Sequence, residues 1–292
     1  MKRSLLFIAT LFAAAPGFCA GPELPDLESF LAALPPQAGP APLSPYRVTA
    51  PSQTQAAGLT GERLFQFLHE STAYGMRGGQ DYLRAKKYMF SVADNTGCGG
   101  GPGVTCLYSQ VCAKGASEHG EDYKEQGDLN GDGFVDADGM NAEHAWPQGF
   151  FNGGLPMRAD LHHIFPTFMK PNNTRGSVPF GQVSRFVYAT SAGSKFDGSV
   201  FEPADAVKGD IARAIFYFIV RYYDQNIKDG MDYGRFWTSR VPLFMEWNLK
   251  DPPDAAERAR NTAIERFQGN RNPFVDDPRL VELVGLKVFQ AH

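Results

Sequence analysis

The chain has 292 residues, 43% of them hydrophobic, with 28 Lys and Arg against 32 Asp and Glu, so its formal net charge is −4. That balance allows a buried core in one large domain or two small ones, and it excludes a general basic coat. Any contact with a polyanion must come from a local basic groove or from a metal ion that supplies positive charge.

Residues 1–20 begin with Lys2 and Arg3, continue through an apolar run from Leu5 to Ala15, and reach a small residue at Ala20, the pattern of an export signal. The run is too short for a comfortable membrane span, and no later stretch reaches the roughly eighteen apolar residues that a spanning helix needs. The mature form is therefore expected to be secreted or periplasmic, with no membrane segment. Removing residues 1–20 takes away two cations and no acid, which shifts the formal charge from −4 to −6. Cys19 raises a lipoprotein alternative, but Pro16, Gly17 and Phe18 match a lipobox poorly.

Residues 21–57 carry Pro35, Pro36, Pro40, Pro42, Pro45 and Pro51 and read as a tether or loosely packed arm. From residue 58 to 292 the pattern is that of one folded domain. Leu64, Phe65 and Leu68, then Tyr82, Leu83, Tyr88 and Met89, recur at helical spacing and predict two helices separated at Gly78-Gly79. Two basic clusters, Arg77 with Arg84, Lys86 and Lys87, and Arg258 with Arg260, Arg266 and Arg271, read equally as solvated helix faces. A Gly-rich stretch follows, with a short strand in VTCLYS and three cysteines, Cys98, Cys106 and Cys112. In an exported chain these predict one bridge and one free thiol, and no C-x-x-C pair or histidine set completes a zinc site.

Residues 128–139, DLNGDGFVDADG, place oxygen donors at Asp128, Asn130 and Asp132, a turn glycine at Gly133, the Phe134 carbonyl and Asp136. These are the first five ligand positions of a calcium loop. Position twelve, where such a loop supplies a bidentate Glu, is Gly139, and Asp138 is the neighbouring substitute. A structural Ca2+ is expected here. Farther on, Val207, Ile211, Ile215, Phe218 and Tyr222 mark a buried core helix, and Asp251-Pro252-Pro253 is expected to open another helix that stops at Gly269.

The chemistry is concentrated between residues 141 and 177, which hold three of the six histidines. Glu143 and His144 are adjacent, so on a regular strand they point to opposite faces, and serving one ligand together requires a bend or bulge. With Asn172, a carboxylate and an amide oxygen suit Mg2+ or a similar hard ion (Mn2+ or Ca2+) rather than zinc. A neutral His144 would take a proton from water, and Arg158 or Arg175 would clamp a phosphate, which together describe phosphodiester hydrolysis. Asp160-Leu161-His162-His163 is expected to begin a short or broken helix that carries Asn172, with His162 and His163 in structural roles.

The runs N-x-E-H-x-W-P-Q-x-F-F, L-P-M-R-x-D-L-H-H and N-x-x-R-G, with RNTAIERFQGNRNPFVDDP at 260–278, resemble the bacterial secreted endonuclease I family of ββα-metal, or His-Me finger, nucleases. The resemblance covers most of the chain beyond about residue 60. It implies cleavage of DNA with little sequence preference, in some members RNA as well, leaving 5'-phosphate ends with one divalent ion. The family's general base falls on His144, its metal-binding glutamate on Glu143 and its metal-binding asparagine on Asn172. No arginine lies between His144 and Arg158, which makes Arg158 the substitute for the family's transition-state arginine. Asp277 stands where a histidine is expected, and the 128–139 loop looks like an addition found in some members.

The expected fold is α+β, a mostly helical single domain with a small antiparallel hairpin forming a ββα-metal active site. The expected function is that of a metal-dependent endonuclease acting on nucleic acid. The alternative is a non-catalytic calcium-binding module with a nuclease-like fold. A metalloprotease is poorly supported, because H-E-x-x-H is absent.

Overall fold

The computed structural model describes residues 58–76, 80–124 and 139–292. The export signal at 1–20, the arm at 21–57, the Gly78-Gly79 break and the ligand positions Asp128, Asn130, Asp132, Phe134, Asp136 and Asp138 lie outside the described residues. No described helix is long and apolar enough to cross a membrane.

The two helices expected at the start are present: α1, Gly61–Ala73, and α2, Tyr82–Tyr88, the latter capped by Asp81 and continued by a π-turn over Met89–Ala93. Strands β1, Gly103–Thr105, and β2, Cys112–Lys114, pair antiparallel. Only the front of VTCLYS is strand; from Leu107 the chain turns, which puts Tyr108 inside the fold. A Cys98–Cys112 disulfide fastens this segment and leaves Cys106 buried and free, giving the expected one bridge and one free thiol. The bridge also removes two of the three thiols that a zinc site would need.

Next come β3, Met140–His144, and β4, Ile164–Phe168, antiparallel in unbroken register from Met140 opposite Phe168 to His144 opposite Ile164. Helix α3, Met169–Arg175, follows β4 directly. A helix beginning at Asp160 does not form: Asp160 caps a single 3-10 turn over Leu161–His163, and the chain then extends. Ile-Phe-Pro-Thr-Phe is β-branched and aromatic, and all five residues are buried, so packing decides for the strand. Pro166 fits because its carbonyl faces away from β3, toward the Leu107 N–H at 3.0 Å, so no ladder donor is lost. Pro171 falls in the first turn of α3, where the N–H has no helical partner.

Three two-residue strands, Tyr188–Ala189, Lys195–Phe196 and Phe201–Glu202, form a small antiparallel sheet. The expected core helix is α4, Lys208–Tyr222, with every residue from Ile211 to Val220 buried. It packs on α1 and on a helix the sequence reading missed, α5, Val241–Lys250. Aromatic rings fill the space, Trp146 stacking on Phe218 and Phe216 meeting Trp237 edge-on, and each such side chain stabilises the fold by roughly 1.5–3 kcal/mol through burial. Gly209 is required at the start of α4, where a Cβ would lie 1.9 Å from the Asp251 carbonyl oxygen. The next helix, α6, Ala255–Gln268, ends at Gly269 as expected, but Asp254 is its cap, accepting from the Glu257 N–H, so Pro252 and Pro253 precede the helix instead of opening it. The class is α+β, with helices dominant and small antiparallel sheets.

Candidate functional site

Strand β3 carries the site, and its regular pairing decides which side chains meet. The bend expected at Glu143-His144 does not occur, so Asn141 and Glu143 share one face while Ala142 and His144 share the other. His144 ends the strand.

On the first face, Glu143 Oε1 accepts from the Tyr108 hydroxyl at 2.5 Å and pairs with Arg175 Nη1 at 2.9 Å, with only 4% and 1% of the two paired side chains exposed. Burial pushes the Glu143 carboxyl above its usual range, against the pull of Arg175 and Tyr108, and burial beside this carboxylate holds the Tyr108 hydroxyl well above its own. Asn172, half-buried on α3, donates from Nδ2 to Asn141 Oδ1. Because Asn141 is two residues from Glu143 on one face, Asn172 stands over the face that carries the carboxylate.

Arg175, which the sequence offers to a phosphate, lies inside. Its Nη1 also donates to the His144 carbonyl at 3.0 Å, its Nη2 to the Ala145 carbonyl at 2.7 Å, and its Cζ sits 4.4 Å above the Phe180 ring. This guanidinium holds Glu143 and the end of β3 in place, and no face of it is left toward solvent.

The second face is neutral imidazole among rings. His144 is 4% exposed and its Nε2 lies 3.0 Å from the Arg158 carbonyl oxygen. A carbonyl only accepts, so Nε2 carries the hydrogen and Nδ1 the lone pair. Burial lowers the His144 pKa to about 3, helped by His163 and by the cations Arg158 and Arg175, with the carbonyl bond opposing. The Arg158 guanidinium lies 4.4 Å over the Tyr82 ring, and its Nε is buried without a hydrogen-bond partner.

His162 and His163 belong to a buried network around Asp160. Asp160 accepts from the His162 N–H at 3.1 Å, Gln268 at 2.8 Å, Tyr217 at 2.8 Å and Tyr222 at 2.7 Å. Burial alone would raise this carboxyl, yet the two histidines and these bonds bring it below its ordinary range. His162 Nε2 bonds the Asn270 carbonyl at 3.0 Å and His163 Nε2 the Met157 carbonyl at 2.7 Å, and burial lowers both histidines to about 4. Their work is structural: they tie the turn before β4 to α4 and to the segment after α6.

Among the described residues no group of three or more His, Cys, Asp or Glu is placed to hold a metal ion. An ion at this site would rest on one carboxylate, one amide oxygen and water, a set that suits a hard cation. Sequence reasoning missed Tyr108, Tyr82 and Asn141. Asn141 could have been found from the i, i+2 alternation with Glu143, whereas the two tyrosines come from distant segments.

The Endonuclease I family model matches residues 84–279, which include Glu143, His144, Arg158, Asn172 and Arg175. The chain is 31% identical to an extracellular ribonuclease of Bacillus subtilis over 82% of its own length and 79% of that protein. It is 36% identical to an extracellular ribonuclease of Bacillus amyloliquefaciens, over 47% of this chain and 51% of the relative. A periplasmic deoxyribonuclease of Aeromonas hydrophila is 30% identical over 41% of this chain and 48% of its own. For the last two, the match spans about half of the relative's length.

Proposed function

Because the chain belongs to the endonuclease I family, we propose that it is an exported endonuclease that hydrolyses the phosphodiester bonds of DNA, and of RNA as well, with one divalent cation. The observation that carries the reading is His144: a neutral imidazole whose Nε2–H is fixed on a carbonyl, leaving a lone pair on Nδ1, with the Arg158 guanidinium nearby. Export is supported by the names of the relatives, extracellular and periplasmic, and by the N-terminal signal pattern.

In this reading Glu143 and Asn172 hold the cation, Mg2+ or Mn2+. The donors fit: both are hard oxygen ligands over one face of β3. A buried carboxyl pushed upward is also one that a cation would stabilise in its charged form. When bound, the ion supplies positive charge to the phosphorane-like transition state and to the departing oxygen.

The rest falls to the chain's own residues. His144 Nδ1 takes a proton from the attacking water as the new O–P bond forms. The bond to the 3' oxygen breaks, giving a 5'-phosphate and, with a proton, a 3'-hydroxyl. A base held near 3 is weak, and the negative charge of a bound phosphate raises its proton affinity when it is needed. Arg158 stabilises the extra charge on phosphorus. Since Glu143 and His144 point to opposite faces, the phosphate must reach both from the end of β3, at His144.

The test is mature protein with supercoiled plasmid and, separately, single-stranded RNA, each with Mg2+ and with chelator. Cleavage with Mg2+ that stops in chelator, with 5'-phosphate on the products, is expected. Intact DNA and RNA with Mg2+ would favour the alternative, a non-catalytic module, and undamped cutting in chelator would remove the metal.

A further inference from the structure

Five arginines of this fold are matched to acids. Arg175 has Glu143, Arg213 has Glu257, Arg260 has Asp94, Arg271 has Asp276 and Arg279 has Asp277. Arg158 is not among them: among the described residues no carboxylate comes within ion-pair distance of it, and its Nε, like those of Arg175 and Arg221, is buried with no hydrogen-bond partner. What holds it is an aromatic face. Its Cζ lies 4.4 Å from the centre of the Tyr82 ring.

The same ring has a second cation. Lys86 is four residues after Tyr82 on α2, hence on the same helix face, and its Nζ lies 5.3 Å from the ring centre, again with no carboxylate in ion-pair distance among the described residues. The His144 ring is 5.7 Å from Tyr82. Burial pushes the Tyr82 hydroxyl upward, so the ring stays a neutral phenol that attracts cations through its face without cancelling their charge. A carboxylate partner would fix an arginine equally well but would neutralise it. Here two positive charges are held on the ring that neighbours the imidazole and remain available to an anion.

We propose that Tyr82 is a positioning residue that gathers Arg158 and Lys86 on its ring as an uncompensated cation pair for the phosphate backbone of the nucleic-acid strand next to His144. This rests on the nuclease reading for the identity of the strand and adds two residues, Tyr82 and Lys86, to it. In a chain of net negative charge these two cations supply local positive charge on the ring beside His144.

The experiment is duplex oligonucleotide binding to the mature protein in chelator, followed by fluorescence anisotropy across a salt series, for the parent, Tyr82→Phe, Tyr82→Leu and Lys86→Gln. Each phosphate contact contributes about 0.9 to the slope of log Kd against log salt. Lys86→Gln is expected to lower the slope by about one contact. Tyr82→Leu should weaken binding roughly tenfold and lower the slope, while Tyr82→Phe, which keeps the ring, stays within about twofold of the parent. A Tyr82→Leu protein with the parent's Kd and slope would overturn the proposal. So would a Tyr82→Phe protein as weak as Tyr82→Leu, an unchanged slope in Lys86→Gln, or a parent that does not bind. Thermal melts of each variant separate a loss of fold from a loss of positioning. A parent that shows this pattern yet cuts neither DNA nor RNA with Mg2+ would retain the cation pair and lose the nuclease reading.

Discussion

The two faces of β3 solve opposite electrostatic problems within one residue of each other. Toward Tyr108, the buried charge of Glu143 is matched by Arg175 and a hydroxyl, and Arg175 is itself fastened to the carbonyls of His144 and Ala145. Toward Tyr82, the imidazole is kept neutral and the nearby guanidinium is left without an acid. The first face is closed before any cation binds, its buried ions paired with each other, so that breaking the pair strands a buried ion. The second has a surplus of positive charge beside a lone pair, and only an incoming anion can use it. A site that must be stable before substrate arrives and reactive afterward can place the two demands on opposite sides of one strand.

Glu143→Gln should produce the largest combined effect, because it removes the proposed metal ligand and leaves Arg175 buried without its counter-charge. We expect cleavage to fall at least a hundredfold and stability to drop by about 3–5 kcal/mol, read by plasmid nicking and denaturant unfolding. Loss of activity with unchanged stability would mean that the ion pair is not the closed side of the strand.

The neutral side can be tested through acid. His162 and His163 hold folded pKa values of about 4 against roughly 6.5 in an unfolded chain. Between those values the unfolded chain binds more protons than the folded one, so stability falls as pH drops from 6.5 toward 4. Each histidine contributes up to about 1.4 kcal/mol per pH unit. Asp160, lowered in the fold, loses its contribution in the same direction at still lower pH, whereas Glu143, raised in the fold, offsets part of the loss. Thermal melts should show a steep fall in Tm between pH 6.5 and 4. A flat profile there would contradict the buried neutral histidines.

How much of this was legible in the sequence depends on the range of the interaction. The core helix α4 announces itself through a continuous apolar run, and the end of α6 through Gly269, since both signals are local. The family motifs place Glu143, His144 and Asn172 in one neighbourhood, and the α+β class follows from the mix of periods. The strand at 164–168 was hidden because two prolines read as breaks in a helix, when one of them only marks the side of β4 that needs no donor. Arg175 was misread for a different reason. Its type and spacing suit a phosphate, but its partner Glu143 lies 32 residues earlier, and only the β3–β4 register and the length of α3 bring the two together. Tyr82 and Tyr108 reach the two faces from still farther away, with no local pattern to reveal them.

The division between the faces rests most directly on which histidine moves the proton. His144 and His163 lie with ring centres 5.5 Å apart, both neutral and both with Nε2 on a carbonyl, so chemistry at one of them should be separable by substitution. The decisive measurement is the single-turnover rate of duplex cleavage at saturating Mg2+ for His144→Ala beside His163→Asn. The account predicts a loss of about a hundredfold to ten-thousandfold for His144→Ala, and for His163→Asn a change confined to stability. Cleavage by His144→Ala at the parent rate would contradict it.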